Sequence, residues 1–111
     1  MKAGVIIQAY FSCYEKSDRN TLENLIDDRL EFSSPHDAKL DKVTYFEKCW
    51  GFNKKVNRYE ILKFVESNDE AFISYRAITY DNHQFENAEY FQIQGAKIIK
   101  IRVYYGNLPG K

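Results

Sequence analysis

A β-hairpin is predicted by the stretch Gln84-Phe85-Glu86-Asn87-Ala88-Glu89-Tyr90-Phe91-Gln92-Ile93-Gln94, the pair Gly95-Ala96, and Lys97-Ile98-Ile99-Lys100-Ile101-Arg102-Val103-Tyr104-Tyr105. In the second strand, one face carries Ile99, Ile101, Val103 and Tyr105, whereas Lys100 and Arg102 alternate onto the other. This period of two is typical of a half-buried antiparallel strand. The hairpin therefore predicts a sheet with one face turned to a core.

The first strand of this hairpin carries an acidic residue on its apolar face. Alternation places Phe85, Asn87, Glu89, Phe91 and Ile93 together. A carboxylate in an apolar environment is costly unless it is paired, hydrogen-bonded or protonated. Glu89 is therefore a candidate general acid or base. The alternatives are a carboxylate satisfied by Asn87 or Arg76, or one that reaches water.

Composition excludes partners that bind by bulk charge. The 111 residues include 16 basic and 16 acidic ones, and the pI is near 6.7, which argues against nucleic acid and anionic membranes. Two cysteines, Cys13 and Cys49, match no disulfide framework and no zinc-site spacing. The apolar segment Ala3–Ile7 is too short for a signal peptide or a membrane span. We expect a single cytoplasmic domain over residues 1–111, with no metal.

Helical periodicity dominates the first half of the chain. Lys2–Lys16 predicts an amphipathic helix whose buried face is Val5, Ile6, Ala9, Tyr10, Cys13 and Tyr14. Ser17 or Asp18 can cap a second helix, with Leu22, Leu25 and Ile26 buried. A short strand, Leu30–Ser33, is closed by Pro35. Asp41 can cap a third helix, which ends at Gly51 and buries Val43, Phe46, Cys49 and Trp50.

Strand patterns dominate the second half. Tyr59–Glu66 and Ala71–Tyr80 are predicted strands, separated by the turn Ser67-Asn68-Asp69-Glu70. The turn Asp81-Asn82-His83 leads into the closing hairpin. Helices first and an antiparallel meander afterwards predict an α+β domain of order α-α-β-α-β-β-β-β. A curved sheet that wraps around helices leaves a conical pocket between them, a common place for small-molecule sites.

The order of elements and several segments carry a resemblance to a known family. The segments are Phe32-Ser33-Ser34-Pro35-His36-Asp37 followed by Asp41, then Tyr45-Phe46-Glu47-Lys48-Cys49-Trp50, and the ending Asn87-Ala88-Glu89 with Gly95-Ala96-Lys97-Ile98 and Val103-Tyr104-Tyr105-Gly106. The chain resembles the nuclear transport factor 2-like superfamily, and within it the SnoaL-like and ketosteroid-isomerase-like branch. The resemblance implies a cystatin-like cone of three helices on a curved sheet. It does not imply one activity, because that cone hosts isomerases, cyclases, dehydratases, hydrolases and binding domains.

The resemblance also implies roles for individual residues. The isomerase pattern has a tyrosine on the first helix and a protonated acid on a late strand, which correspond to Tyr10 and Glu89. Its aspartate base precedes a proline, a position occupied here by Ser34. A serine cannot move a proton between carbon atoms unaided, so the nearest replacement bases are His36 and Asp37. Tyr10 could instead be a core residue, and His36 a solvated loop residue.

The expected ligand wall is mostly aromatic. It consists of Trp50, Phe46, Tyr75, Phe85, Asn87, Phe91, Val103 and Tyr105. Side chains of this kind are also common in ordinary cores.

Two functions remain open. One is a cofactor-independent isomerase, cyclase or dehydratase of a small hydrophobic cyclic or polyketide-like substrate, with Glu89 and Tyr10 polarising an oxygen. The other is a non-catalytic ligand-binding or dimerisation domain.

The opposite face of the sheet mixes aromatic residues with arginines, as interface cores do. It consists of Phe72, Arg76, Ile78, Tyr80, Tyr90, Arg102 and Tyr104. Because the helices cover the first face, we expect a homodimer through this second one.

Overall fold

The computed structural model describes residues 3–106. Within this range there are three α-helices, α1 (Ala3–Lys16), α2 (Arg19–Leu25) and α3 (Lys42–Cys49), followed by a 3₁₀ helix, Trp50–Lys54. The five strands are β1 (Ile26–Ser33), β2 (Val56–Ser67), β3 (Glu70–Thr79), β4 (Gln84–Gln94) and β5 (Lys97–Tyr105). The order and the α+β class predicted from the sequence are confirmed.

The strands form one sheet in the order β1-β5-β4-β3-β2. β1 runs parallel to β5, and the other neighbours are antiparallel. The β4–β5 turn is the pair Gly95 and Ala96, both with positive φ, which suits the twist of a two-residue hairpin. A bulge in β5 corrects one expectation: Ile98 is fully buried and Ile99 is only partly buried, because the register shifts opposite Gln92 and Ile93.

The first helix is amphipathic, with a buried face that differs in part from the predicted one. Ile6, Tyr10, Cys13 and Tyr14 are buried as expected, whereas Val5 is 59% exposed. The rest of the buried face is Ala3, Ile7 and Phe11. Sequence periodicity fixes the stripe only to within about one residue on each side, because several neighbouring positions are apolar. Lys2, the predicted first residue of the helix, lies outside the described range.

Several other predicted boundaries differ from the structure. Ile26 is not in the second helix but begins β1, which is four residues longer than the predicted Leu30–Ser33. In α3 the buried residues are Tyr45 and Phe46, while Val43 is 68% exposed. The third helix does not end at Gly51 but at Cys49, and the chain continues as the 3₁₀ helix. Tertiary packing, which the sequence pattern does not contain, decides these points.

Side-chain caps define the ends of the helices. The carboxylates of Asp18 and Asp41 accept hydrogen bonds from the backbone N–H groups of Thr21 and Thr44, as predicted for helix caps. At the other end of α2, Lys42 Nζ donates to the carbonyls of Glu23 and Ile26, both at 2.8 Å. This lysine satisfies carbonyl groups that a helix end leaves without an intrahelical partner. It thereby joins the start of α3 to the α2–β1 junction.

We expect Lys42→Met to lower the free energy of unfolding by about 2 kcal/mol, because two carbonyls lose a charged donor. Urea denaturation followed by circular dichroism measures the loss. Lys63→Met, at an exposed position on β2, is the control and should change the stability by less than about 0.5 kcal/mol. Equal effects of the two substitutions would contradict the bridging role of Lys42.

Candidate functional site

An open cavity of about 710 Å³ lies between the helices and the inner face of the sheet. Its volume is within the range usual for small-molecule pockets, roughly 300–1,000 Å³. The lining comes from α1, α3, the 3₁₀ helix and all five strands. It includes Tyr10, Phe11, Tyr14, Phe32, Tyr45, Phe52, Tyr59, Tyr75, Phe85, Asn87, Glu89 and Val103.

Glu89 is a buried acid in this lining, with 5% of its surface exposed. Its Oε2 accepts a hydrogen bond from the Tyr75 hydroxyl at 2.5 Å. Its Oε1 is buried and has no hydrogen-bond partner among the described residues. Asn87 Nδ2 lies 3.5 Å from the Tyr75 hydroxyl, so it contacts the donor rather than the acid. One oxygen is thus held in place by Tyr75, and the other still has its hydrogen-bonding capacity free.

Arg76, the cation that the sequence offered as a partner for Glu89, lies on the other face of the sheet. Arg76 forms ion pairs with Glu60 at 3.1 Å and with Glu86 at 3.0 Å. Neighbouring residues of a strand point to opposite faces of a sheet, and Arg76 follows Tyr75 in β3. The guanidinium therefore does not neutralise Glu89. Burial raises the pKa of Glu89 from 4.5 to about 7, and the hydrogen bond from Tyr75 lowers it. Near neutral pH the carboxyl group is present in both protonation states.

Three tyrosine hydroxyls form a chain along the helical side of the cavity. The Tyr45 hydroxyl lies 2.5 Å from that of Tyr14 and 3.1 Å from that of Tyr10. Burial raises the pKa of Tyr10 well above its usual value, and the charge of Glu89 raises it further. Tyr10 therefore stays protonated and can donate. If Tyr14 donates to Tyr45 and Tyr45 donates to Tyr10, the Tyr10 hydroxyl can still donate one hydrogen bond.

The two predicted replacement bases lie in a tight turn that also lines the cavity. Ser34 and Asp37 exchange backbone hydrogen bonds, and the Ser34 hydroxyl accepts from the backbone N–H groups of His36 and Asp37. Asp37 Oδ1 forms an ion pair with Lys48 at 3.4 Å. The His36 ring packs against Tyr105, with centroids 5.4 Å apart. The structure thus brings His36 and Asp37 to the same cavity as Glu89, with Asp37 already engaged by a cation.

The predicted ligand wall divides into two groups. Tyr75, Phe85, Asn87, Val103 and Tyr105 line the cavity. The lining does not include Phe46, Trp50 or Phe91. Phe46 and Phe91 are buried in the core, and Trp50 packs against Tyr14 with ring centroids 5.2 Å apart. Whether the residues of the first group contact a ligand stays a prediction.

Several lining residues were not predicted as functional, among them Tyr14, Tyr45 and Tyr59. Tyr14 is four residues after Tyr10, so it shares a helical face with Tyr10 and the spacing could have revealed it. Tyr45 could not be found in this way, because the predicted face of α3 began at Val43.

Cys49 also lines the cavity. Burial raises the pKa of its thiol to about 11, with smaller contributions from Asp37 and Glu89. At neutral pH it is a protonated thiol and not a nucleophile.

Residues 3–106 contain no group of three or more His, Cys, Asp or Glu side chains placed to hold a metal ion. The same range also contains no helix long and apolar enough to cross a membrane.

Comparison with solved structures places the fold. A Kribbella flavida protein superposes with a TM-score of 0.81 at 16% identity, covering 94% of this chain and 86% of that one. A nuclear transport factor 2-like protein of unknown function from Cytophaga hutchinsonii gives 0.73 at 11% identity, covering 91% and 87%. A polyketide cyclase candidate from Sinorhizobium meliloti gives 0.72 at 17% identity, covering 88% and 92%.

Other similar structures include a ketosteroid isomerase candidate, a protein described as having a cystatin-like fold, and TerC co-crystallised with polyporic acid. No protein-family model and no curated protein matches the sequence. The chain therefore has the nuclear transport factor 2-like, cystatin-like fold, which was predicted from the sequence. At these identities the likeness shows the fold and leaves the activity open.

The raised pKa of Glu89 should make the free energy of unfolding depend on pH. Because the pKa is raised in the folded state, the folded protein keeps a proton that the unfolded chain releases above pH 4.5. The free energy of unfolding should therefore fall as pH rises from about 4.5 through 7, by roughly 3 kcal/mol from this group. The measurement is urea denaturation of the wild-type protein and Glu89→Gln at intervals from pH 4.5 to 8.5.

The other titratable groups are the same in the wild type and in Glu89→Gln. The difference between their two curves of unfolding free energy against pH therefore reports the titration of Glu89. Glu47→Gln, at an exposed position on α3, is the matched control and should parallel the wild type. A wild-type minus Glu89→Gln difference that stays constant across this range would contradict the raised pKa.

Proposed function

We propose that the cavity binds a small, hydrophobic, cyclic or polyketide-like molecule and that Glu89 exchanges a proton with it. The observation that carries the proposal is the asymmetry of Glu89: Tyr75 fixes Oε2, while the buried Oε1 has no partner among residues 3–106. A buried polar atom without a partner is costly. A ligand oxygen bound to Oε1 would remove that cost.

The aromatic lining supports the same class of ligand. Phe32, Phe52, Phe85 and Val103 offer flat or apolar contact surface to a ring. A hydrogen bond from protonated Glu89 or from Tyr10 would hold a carbonyl or hydroxyl oxygen of that ring. The cyclase and isomerase candidates with this fold, and TerC with polyporic acid, add support at the level of fold.

The proposed reaction is a cofactor-independent isomerisation, cyclisation or dehydration. Protonated Glu89 polarises a substrate oxygen, and its pKa near 7 suits both donation and recovery of a proton at neutral pH. Tyr10, with Tyr45 and Tyr14 behind it, donates to negative charge that develops on oxygen. His36 and Asp37 lie at the same cavity and are the candidates for moving the second proton.

A non-catalytic binding domain is the second candidate. It is favoured by the turn that carries Ser34, because the serine replaces the expected base and the Asp37 carboxylate is paired with Lys48. In this case Glu89 and Tyr10 would orient a ligand by hydrogen bonding without proton transfer.

A thermal-shift screen of planar ketones, phenols and quinones at pH 6 tests the binding proposal. A carbonyl ligand that accepts a hydrogen bond from protonated Glu89 should bind about tenfold more weakly for each pH unit above 7. In Glu89→Gln the affinity should be independent of pH, because an amide donates at every pH.

If a hit is converted to product, Glu89→Gln should lower kcat at least a hundredfold, since it removes a proton donor and acceptor. Glu47→Gln should have no effect on either measurement. Binding that is equally pH-dependent in Glu89→Gln, or turnover that is undiminished there, would eliminate the role of Glu89.

We also propose a homodimer through the outer face of the sheet. Phe72 packs against Tyr90 and Tyr104, with centroids 5.4 and 6.1 Å away, and Arg102 lies 5.4 Å above the Tyr104 ring. Phe72 and Tyr104 are 47% and 43% exposed. Ile78, expected on this surface, is buried and offers little contact area. Exposed aromatic residues beside an arginine favour an interface.

Light scattering at micromolar concentration should give the mass of a dimer. Phe72→Asp should raise the dissociation constant by roughly 30-fold or more, the effect of losing one hot-spot residue. Val43→Asp, at a position on α3 that is 68% exposed, should leave the mass unchanged. A wild-type protein that is monomeric at these concentrations would refute the proposal.

A further inference from the structure

A second apolar depression lies next to the cavity, between α1 and the edge strand β2. This groove has a volume of about 250 Å³. Its lining includes Gly4, Ile7, Ser12, Ile61, Phe64 and Ile73. Ile61 is 47% and Phe64 37% exposed, and because both line the same depression they form part of one continuous apolar surface.

Two features of the backbone show how the chain forms the groove. The register shift between Ile61 and Lys63 directs Ile61 and Phe64, three residues apart, to the same lining. Gly4 allows β2 to come close, since a Cβ there would lie 3.3 Å from two atoms of the Phe64 ring.

Two carboxylates tie the strand to the helix. Glu66 Oε2 accepts from the Gly4 backbone N–H at 2.9 Å, and Glu15 Oε2 accepts from that of Tyr59 at 2.8 Å. Because Gly4 and Glu15 lie near opposite ends of α1, the groove is held at both ends.

The groove and the cavity share two lining residues, Phe11 and Tyr59. Their rings meet edge to face with centroids 4.9 Å apart, and each also contacts the ring of Tyr75, the donor to Glu89. These rings separate the groove from the acid. A chain can pass from one depression to the other only if one of the two rings turns aside, and Tyr59 is the less buried of the two.

We infer that the ligand has two parts: an oxygen-bearing ring that binds in the cavity beside Glu89, and an unbranched apolar tail that passes Phe11 and Tyr59 into the groove. The inference rests on the proposed function and adds the tail to it. The groove has room for roughly eight groups of the size of a water molecule, at about 30 Å³ each. Its apolar lining suits a hydrocarbon chain of about six carbons.

A series of 4-alkylphenols, from 4-methylphenol to 4-hexylphenol, tests the inference by calorimetry. In the wild-type protein the affinity should rise about threefold for each added methylene, somewhat less than full burial of a CH₂ group would give. Ser12→Trp fills the groove and Ile61→Asn makes it polar, and both should abolish the rise while 4-methylphenol binds as before. Val65→Asn is the control, because Val65 is exposed on the same strand and lines neither depression.

The possible results distinguish binding in the groove from binding in the cavity. If 4-methylphenol binds and a longer alkyl chain does not raise the affinity, the inference of a tail-binding groove is refuted and the proposed function is unaffected. Binding of only the longer phenols, lost in Ser12→Trp, supports the groove and counts against a ring site at Glu89. If Val65→Asn reduces the increase in affinity with chain length as much as Ile61→Asn does, the tail does not bind in the groove. The absence of binding by every member of the series also refutes the inference.

Discussion

The burial of the inner face of the sheet against α1 is the constraint on which the rest of the structure depends. Phe91 is fully buried and contacts the rings of Tyr10 and Phe11. Ile93, Ile98 and Ile101 extend this apolar face across β4 and β5. A five-stranded sheet is too wide for one helix to cover completely. The uncovered part becomes the cavity, so the same packing that stabilises the fold also creates the candidate site.

Glu89 lies where this packing ends. Two residue pairs further along the hairpin, at Phe91 and Ile101, the same face is closed by core contacts. At Glu89 and Val103 it opens to the cavity. The carboxyl group is therefore buried by its neighbours yet faces the cavity, and burial favours its protonated form by raising its pKa. Arg76, the neighbouring cation, is held on the outer face by Glu60 and Glu86.

Aromatic rings connect the separate parts of the molecule. Phe11 touches Tyr10, Tyr59, Tyr75 and Phe91, so a single side chain of α1 contacts the core, the cavity and the groove. Edge-to-face contacts of this kind add to the area that each ring buries. The richness in tyrosine supplies hydroxyl groups to a largely apolar space, which allows hydrogen bonding there without fixed charge.

The sequence by itself determined the order of elements, a cap at Ser17 or Asp18 and another at Asp41, and the inward direction of Glu89, because capping and strand alternation are local properties of the chain. It also predicted Tyr10 and Glu89 as members of one site, through the resemblance to a family. Only the tertiary structure decided which neighbours they have. Tyr75 holds Glu89, and Tyr45 joins Tyr10 to Tyr14. These partners lie far apart along the chain, and no periodic pattern encodes contacts between separate elements. The groove beside β2 depends on a bulge, a glycine and two carboxylates, whose combined geometry exists only once the helix has packed on the sheet.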